Sequence, residues 1–290
     1  MRIAVFGNTY RTEILTHIQV LLNFFNQFNT TILLEEELYN FVGESKFCNL
    51  DGVEKIVNND FEADYALSIG GDGTFLNTAA HIGNKNIPVL GINTGRLGFL
   101  ADIPAENMLQ AFEAIMTSNY RIELRSLLFV EASDGTNFDY PYALNEVSVL
   151  KQDSSSMISI NTHLNGEAIH TYQADGLLVA TPTGSTAYSM SVGGPLVVPQ
   201  AQNFILSPVA SHSLNVRPLI VPDDWIIELD VKSRSHCYQV SLDGRTVILN
   251  EKTKLKITKA NFSIKIIKQL NHTFFDNLKS KLMWGMDKRN

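Results

Sequence analysis

Cysteine is almost absent from this chain of 290 residues, in which only Cys48 and Cys237 occur. The two lie far apart and form no C-x-x-C pair, so we expect neither a disulfide framework nor a structural zinc site. They are expected to be free thiols in a reducing compartment. The seven histidines show no H-E-x-x-H or comparable ligand spacing, and there is no G-x-S-x-G elbow. These absences argue against zinc hydrolases and serine hydrolases.

Positive charge is also scarce, since the formal net charge is -7 at pH 7. A protein whose main work is to bind nucleic acid or an anionic membrane needs a basic face that displaces counterions. We therefore expect no nucleic-acid partner and no membrane partner. An anionic nucleotide would have to be held by backbone amides, a few basic side chains or a metal ion.

Long apolar runs are missing too, because no stretch approaches the roughly 20 residues that span a bilayer. The chain begins with the strand-like residues 3–6 and not with a basic segment followed by an apolar one. We expect a soluble cytoplasmic protein. Hydrophobic residues make up 44% and charged residues 18%, as in ordinary globular proteins, and the length favours two domains.

Strand and helix patterns alternate over the first hundred residues, which predicts an α/β domain with an open parallel sheet. Strands are predicted at residues 3–6, 31–34, 65–69 and 87–92. Helical spacing is found in two sets of apolar residues: Ile14, Leu15, Ile18, Leu21, Leu22 and Phe25, and, after Pro104, Met108, Leu109, Phe112, Ile115 and Met116. Ligands of such sheets lie beyond the carboxyl ends of the strands.

From Leu124 to about Lys268 the pattern changes to short β-rich segments separated by Asp-Gly and Asn-Gly turns, which predicts an antiparallel β domain. The tail returns to helical spacing, with Phe275, Leu278 and Leu282 on one side. This helix is expected to pack back on the first domain. The predicted domains are residues 1–122 together with 271–290, and residues 123–270.

The segment Gly70-Gly71-Asp72-Gly73-Thr74 follows a predicted strand and precedes a helix predicted over residues 75–82. Amides at such a turn, together with the helix dipole, suit a phosphate. A carboxylate repels phosphate, so Asp72 indicates contact with a hydroxyl or a metal-bound group. The alternative is a glycine turn in which Asp72 caps the helix.

A second glycine-rich turn, residues 91–100, follows the next strand and contains Gly95 and Arg96. Two such turns at neighbouring strand ends are expected to face one another. Arg96 would then neutralise a phosphate; the alternative is a surface arginine without a ligand.

Residues 175–195 combine hydroxyls and glycines after an apolar strand. This composition suits a ribose or an amide group, with Tyr188 stacking or packing against a base, but a long β-connection would have a similar composition. The pair Asn145-Glu146 offers hydrogen bonds to a diol or a base edge, and a strand-end turn is the alternative.

Two common nucleotide motifs are missing: there is no G-x-x-x-x-G-K-[ST] loop, and no G-x-G-x-x-G turn follows the first strand. The motifs that are present resemble those of the NAD kinases. They are, in order, G-G-D-G-T, N-T-G-R-L-G-F-L, L-N-E-V and D-G-L-L-V-A-T-P-T-G-S-T-A-Y-S-M-S-V-G-G-P. The similarity covers nearly the whole chain, including residues 217–219 and the terminal helix.

The resemblance implies a Rossmann-like amino-terminal domain, a β-rich carboxy-terminal domain, an active cleft between them and a homodimer or homotetramer. It implies that ATP or another donor phosphorylates the 2′-hydroxyl of the adenosine ribose of NAD, giving NADP. A divalent cation such as Mg²⁺ would be held partly by substrate phosphates, without a dedicated cage in the protein. Asp72 would be the general base. The residues expected near phosphate are Gly70, Gly71, Gly73, Thr74, Gly95 and Arg96.

The resemblance also implies an NAD site. Gly73 would approach the ligand closely, and Asn145, Glu146 and Asp175 would hold the ribose and adenine. The rest of the site would comprise Gln173, Thr186, Ala187, Tyr188, Ser189, Met190, Ser191 and Ala210. Gln173 stands where a basic residue is usual in the family, and we hypothesise that its neutrality relaxes the discrimination between NAD and NADH.

Two other functions fit part of the sequence. A lipid kinase of the diacylglycerol or sphingosine type shares the G-G-D-G-T turn, although the polar segment around Tyr188 favours a dinucleotide. A nucleotide sensor would bind at the same residues without turnover.

Overall fold

The computed structural model describes residues 1–95, 98–153 and 156–285. The chain divides into two compact units, residues 1–124 with 264–290 (unit 1) and residues 125–263 (unit 2). Within the described ranges, no helix combines the length and the apolar character needed to cross a bilayer.

The elements that begin within residues 1–124 are, in chain order, β1 (Arg2–Gly7), α1 (Ile14–Phe25), β2 (Thr31–Glu35), α2 (Glu36–Ser45), β3 (Glu54–Ile56), β4 (Tyr65–Gly70), α3 (Asp72–Ile82), β5 (Val89–Asn93), β6 (Ile103–Pro104), α4 (Met108–Met116) and β7 (Arg121–Ala132). They are followed by β8 (Tyr142–Ala143), β9 (Glu146–Lys151), β10 (Ile158–Leu164), β11 (Glu167–Ala174), β12 (Gly176–Ala180), α5 (Tyr188–Ser191), β13 (Asn203–Val209), β14 (Leu219–Pro222), β15 (Ile227–Lys232), β16 (Cys237–Leu242), β17 (Arg245–Asn250), β18 (Leu255–Lys268) and α6 (Phe274–Leu282). Short 3₁₀ turns precede α4 at Ala105–Asn107 and α5 at Thr183–Thr186.

Unit 1 contains a parallel sheet in the order β3-β2-β1-β4-β5. This is the strand order of a Rossmann-type half, which confirms the predicted α/β fold. Two further segments pair with β5 in parallel, namely β6 and the end of β18, where Ile266 lies opposite Val89. The carboxyl ends of β4 and β5 are adjacent, with Gly70 opposite Asn93.

Helix α1 buries Ile14, Ile18, Leu21, Leu22 and Phe25 in the unit 1 core, as its spacing predicts. Helix α4 buries Met108, Ala111, Phe112 and Ile115, but Leu109 is 48% exposed and so does not belong to the predicted stripe. Apolar spacing thus identifies these helices correctly and misassigns one position.

Three features of unit 1 depart from the sequence prediction. Strand β5 begins at Val89 because Pro88 has no N–H to donate. Helix α3 begins at Asp72, three residues before the predicted start at Phe75. Neither α2 nor β3 was predicted. Helix α2 is capped by Glu35, whose carboxylate accepts hydrogen bonds from the N–H groups of residues 37 and 38. Glutamate is not among the preferred capping residues.

Unit 2 consists of antiparallel strands in two layers. One sheet has the order β14-β13-β12-β9-β16-β17, and β11, β10, β15 and the start of β18 pair in the other. Alternate residues of β10 and β16 are buried, as expected for strands with one face in a core. A single hydrophobic cluster contains residues of both layers, including Ile160, Val149 and Tyr238. The predicted β-rich domain is confirmed.

Helix α6 packs on unit 1, as predicted, but not through the predicted stripe. Leu278 is buried, whereas Phe275 is 51% and Leu282 36% exposed. The helix is anchored by polar contacts: Asn277 Nδ2 donates to Asp102 Oδ2 at 3.2 Å, and a capping box joins Thr273 and Asp276 at its start.

Candidate active site

Asp72 is the first residue of α3, at the point where β4 ends. It does not cap the helix, because Gly71 is the N-cap residue and no side chain caps this end. Its carboxylate instead accepts three backbone N–H groups, from Phe99 on Oδ2 at 2.8 Å and from Leu100 and Ala101 on Oδ1, both at 3.0 Å. The structure therefore contradicts the capping alternative and fixes the orientation of this carboxylate.

The segment after β5 folds over Asp72 because of its own short-range contacts. Asn93 Oδ1 accepts from the Gly95 N–H at 2.7 Å, and Asn93 Nδ2 donates to the Ala101 carbonyl at 3.2 Å. Gly91 lies so close to Ala101 that an added Cβ would be 2.8 Å from its Cα. The two glycine-rich turns meet, since the Thr94 N–H donates to the Gly70 carbonyl at 3.2 Å.

Among the predicted phosphate-site residues, Gly71 and Gly73 have free space beside the backbone, where a ligand can approach the amides. An added Cβ would meet nothing within 4 Å at Gly71 or Gly73 among the described atoms. Gly70, by contrast, is buried, and a Cβ there would overlap the half-buried Thr74. Gly95 is exposed next to Arg11, whose Nη1 would lie 3.2 Å from an added Cβ. Arg96 lies outside the described residues.

Two lysines contact the segment that holds this carboxylate, Lys281 at Phe99 and Lys268 at the Leu100 carbonyl. Lys281 Nζ is 4.1 Å from the centroid of the Phe99 ring and has no hydrogen-bond partner among the described residues. Burial lowers the pKa of Lys281 to about 8, although Asp72 and Asp102 act to raise it. Lys268 Nζ forms a buried ion pair with Asp102 Oδ2 at 2.7 Å. Burial is the strongest influence and acts to raise the pKa of Asp102, but the charge and hydrogen bond of Lys268, together with Asn277 and His272, hold that pKa below its usual value.

In unit 2, Asn145 and Glu146 lie where β9 begins, and Asn145 is buried. Glu146 is half-buried, and its Oε2 has neither solvent contact nor a hydrogen-bond partner among the described residues. Burial and the neighbouring Asp243 carboxylate raise the pKa of Glu146 to about 7, and a hydrogen bond from the Tyr188 N–H partly offsets this. The carboxyl group is therefore able to change its charge near neutral pH.

The polar segment after β12 packs against this pair. Gly184 leaves no room for a side chain, because a Cβ would overlap the Asn145 carbonyl. Thr186, Ala187 and Met190 are half-buried, and Ser191 and Tyr188 are exposed. Ser189 differs from the expectation: it is fully buried, and its Oγ lies 3.2 Å from Ser207 Oγ. Its side chain is thus part of the interior packing and not of a ligand-facing surface.

Three other predicted NAD residues, Gln173, Asp175 and Ala210, lie near the end of the paired strands β9 and β12 that is far from Glu146. Glu146 is opposite Ala180 in this ladder, and Gly176 is opposite Leu150. Asp175 forms an ion pair with Lys151 at 2.7 Å. At about 3.4 Å per residue, this end is on the order of 15 Å from Glu146. In a single chain, Asp175 therefore does not lie beside Asn145 and Glu146.

Gln173 and Ala210 belong to the Asp175 end of the ladder. The Asp175 N–H donates to Val209, the residue before Ala210, at 2.9 Å, and the Gln173 carbonyl accepts from the His212 N–H at 2.9 Å. Gln173 Oε1 accepts from Ser159 Oγ at 3.0 Å. Ala210 is exposed and has a left-handed backbone with φ of 46°.

A dedicated metal cage is not formed by the described part of the chain, which contains no cluster of three or more histidine, cysteine, aspartate or glutamate side chains able to hold an ion. Sequence reasoning missed three residues that shape the site. Gly98 lies inside the second glycine-rich turn, Asp243 begins an Asp-Gly turn and Lys281 belongs to the carboxy-terminal tail, and none of the three is predicted as a site residue. None has a local sequence signal, because each acts through contacts with distant residues.

Both halves of the chain match domain families of known proteins. Residues 3–120 match the ATP-NAD kinase N-terminal domain and residues 144–269 the ATP-NAD kinase C-terminal domain. The chain is 49% identical over 289 residues to an NAD kinase of Bacteroides fragilis, and the match covers 100% of both chains. It is 39% identical over 292 residues to an NAD kinase of Cytophaga hutchinsonii, again over 100% of both.

Solved structures of other proteins are similar as well. An NAD kinase from Archaeoglobus fulgidus in complex with ATP is 27% identical, with a TM-score of 0.76 over 98% of this chain and 99% of the other. Yeast NADH kinase complexed with NADH has a TM-score of 0.89 over 99% of this chain and 88% of the other. At 19% identity the latter likeness concerns the fold alone. Because both domain families match and full-length relatives agree, the chain belongs to the NAD kinase family.

Proposed function

We propose that this chain transfers the γ-phosphoryl group of ATP to the 2′-hydroxyl of the adenosine ribose of NAD, producing NADP and ADP. The observation that carries the proposal is the Asp72 carboxylate, held by three amides beside the open backbone of Gly71 and Gly73. The family membership supports the same reaction. It also favours a dinucleotide over the lipid acceptor that the G-G-D-G-T turn alone would permit.

Asp72 is the proposed general base. A carboxylate offers about four acceptor positions, and the amides occupy one on Oδ2 and two on Oδ1, so Oδ2 keeps a position for a hydroxyl proton. Phosphoryl transfer passes through a loose transition state in which positioning matters more than early deprotonation. The 2′-oxygen bonds to the γ-phosphorus while the bond to the β-γ bridging oxygen breaks, and the hydroxyl proton passes to Asp72.

The acceptor ribose is proposed to bind Asn145 and Glu146, with Tyr188 covering the adenine. The unpartnered Oε2 of Glu146 supports this role, because a buried oxygen without a partner gains most from a ligand hydroxyl. The second group, Gln173, Asp175 and Ala210, is proposed to contact a more distant part of the dinucleotide, since these residues lie at the other end of the ladder.

The donor phosphates are proposed to meet the amides of the Gly71–Gly73 turn at the start of α3, where the helix dipole favours anions. Because the described residues form no metal cage, we propose that Mg²⁺ arrives bound to ATP, as part of the substrate.

A homodimer or homotetramer and a cytoplasmic location are also proposed. The edge strand β14 exposes Leu219 and Ile220, which supports contact between copies. The unpaired thiols of Cys48 and Cys237 support a reducing compartment.

The test is an assay of the purified protein with NAD, ATP and Mg²⁺, in which NADP is read by a dehydrogenase specific for it. Asp72→Asn should keep NAD binding and lower kcat by about 10²-fold or more. Asp51→Asn, which changes an exposed aspartate in the same unit, is the matched control. NAD binding by the wild type without turnover under any donor would support the sensor, and phosphorylation of diacylglycerol in place of NAD would support the lipid kinase.

A further inference from the structure

Every backbone polar group of residues 144–146 is hydrogen bonded to two residues from elsewhere in unit 2. The Asp243 carboxylate accepts the N–H groups of Leu144 at 2.6 Å, Asn145 at 2.9 Å and Glu146 at 3.1 Å. On the carbonyl side, Thr181 Oγ1 donates to Leu144 at 2.6 Å and the Thr181 N–H to Asn145 at 2.9 Å. The Asp243 N–H donates to the Glu146 carbonyl at 3.2 Å. This short segment is therefore fixed from both sides.

The turn that carries Asp243 does not itself require a carboxylate. Asp243 and Gly244 join β16 to β17, with φ of 48° and 87°. Such a two-residue hairpin accepts Asn-Gly as readily as Asp-Gly. Only an ionised carboxylate, however, accepts three amides at once, because an asparagine side chain has one accepting oxygen. The carboxylate of Asp243 is therefore needed for the hydrogen bonds to residues 144–146 and not for the turn itself.

This arrangement also has an electrostatic cost. Burial raises the pKa of Asp243, and the three amides and Arg245 offset this only in part. The Asp243 charge in turn raises the pKa of Glu146. Two carboxyl groups held close together in a partly buried site are more typical of a functional site than of a structural turn.

We propose that Asp243, assisted by Thr181, is a positioning residue that holds Asn145 and Glu146 in the geometry that receives the NAD ribose. The inference rests on the proposed function, because it assumes that this pair binds NAD. Asp243 contacts the backbone of the pair, and its proposed effect on the reaction passes through that backbone.

The experiment compares steady-state kinetics of the full-length wild type with those of Asp243→Asn. The substitution removes the acceptor of the Leu144 N–H and the charge that strengthens the other two hydrogen bonds, so it should raise the KM for NAD about tenfold or more and leave the KM for ATP within about twofold. The matched control is Asp134→Asn, which changes another aspartate that precedes glycine in a turn of unit 2. A pH series adds a second readout, since removing the Asp243 charge should move the pH dependence of the KM for NAD to lower pH.

Two results would overturn the inference: a folded Asp243→Asn variant with an unchanged KM for NAD, or equal rises in both KM values with an unmoved pH profile. If this variant does not fold, Thr181→Val is judged by the same criteria, with Thr181→Ser as the rescue. Glu146→Gln separates the inference from the proposed function. If Glu146→Gln leaves the KM for NAD unchanged, the proposed NAD site fails; if it raises that KM while Asp243→Asn does not, only the positioning role fails.

Discussion

Gly98 lies directly against the carboxylate of Asp72, so closely that a Cβ at position 98 would overlap Oδ1 and stand 2.9 Å from Oδ2. The two residues are distant in sequence, and the contact is made by the segment that follows β5. Position 98 requires glycine because the carboxylate leaves no room for a Cβ, and not because the backbone there is left-handed.

Gly98→Ala should therefore displace the Asp72 carboxylate and lower kcat. A misplacement of about 1 Å costs on the order of 10²-fold in rate, and the KM for NAD should change little. Gly43→Ala is the control, because an added Cβ in helix α2 would lie 3.7 Å from Leu50, an ordinary contact. Unchanged kcat in a folded Gly98→Ala variant would contradict the proposed role of this contact.

Glu146 should make NAD binding depend on pH. With its pKa raised to about 7, the carboxyl group is protonated below that pH and loses its ability to accept from ribose hydroxyls with both oxygens. The KM for NAD is expected to rise as pH falls from about 8 to about 6. Glu146→Gln should give a higher KM at pH 8 that hardly varies across this range. A wild-type KM that is flat from pH 6 to 8 would count against this assignment.

Lys281 should reduce stability at neutral pH, because its buried ammonium has no hydrogen-bond partner among the described residues. Its pKa of about 8 in the folded chain lies below the ordinary 10.5, so the unfolded chain binds the extra proton between these values. The free energy of unfolding contributed by this group thus rises as pH increases from about 8 to about 10.5. Lys281→Met should raise the Tm at pH 7 and remove this pH dependence.

The control for this measurement is Lys279→Met, which changes an exposed lysine of the same helix. Equal effects of the two substitutions would mean that the buried ammonium has no special cost. A lower Tm in Lys281→Met would mean that the ammonium is stabilised by its position above the Phe99 ring.

Breaking the buried pair of Lys268 and Asp102 should destabilise the protein strongly. Both side chains are about one-twentieth exposed, at 6% and 5%, so Lys268→Met leaves an uncompensated buried carboxylate. The expected loss is about 3–5 kcal/mol in the free energy of unfolding, measured by chemical denaturation. Lys265→Met in the same strand should cost much less, and Asp102→Asn combined with Lys268→Met should recover much of the loss. Additive losses in the double variant would show that the pair does not act as a unit.

The sequence predicted those parts of the fold that depend on local spacing. The stripe of α1 indicates which face of that helix is buried, and the short β-rich segments between turns indicate an antiparallel β domain; both predictions are confirmed. Helix α2 was missed because its cap is the unusual Glu35. The stripe of α6 was wrong because Asn277 and the capping box anchor that helix more than its apolar side chains do.

In the candidate site, too, local patterns predict some features, while others depend on contacts between distant residues. Motifs identified Asp72, Asn145 and Glu146 as residues of interest, but their roles depend on contacts that no local pattern encodes. Gly98 reaches Asp72 from another turn, and Asp243 reaches Glu146 across 97 positions of sequence. The burial of Ser189 and the separation of Asp175 from Glu146 likewise arise from strand pairing. These relationships depend on tertiary structure and could not be predicted from local sequence patterns.

The pairing of Ile266 with Val89, together with the hydrogen bond from Asn277 to Asp102, has a consequence for synthesis. A ribosome releases the first 124 residues long before the segment that completes their sheet and compensates their buried carboxylate. Val89 and Asp102 lack these later partners while the intervening β domain is translated. Premature termination just before β18 would therefore leave Val89 without its strand partner and the Asp102 carboxylate without Lys268.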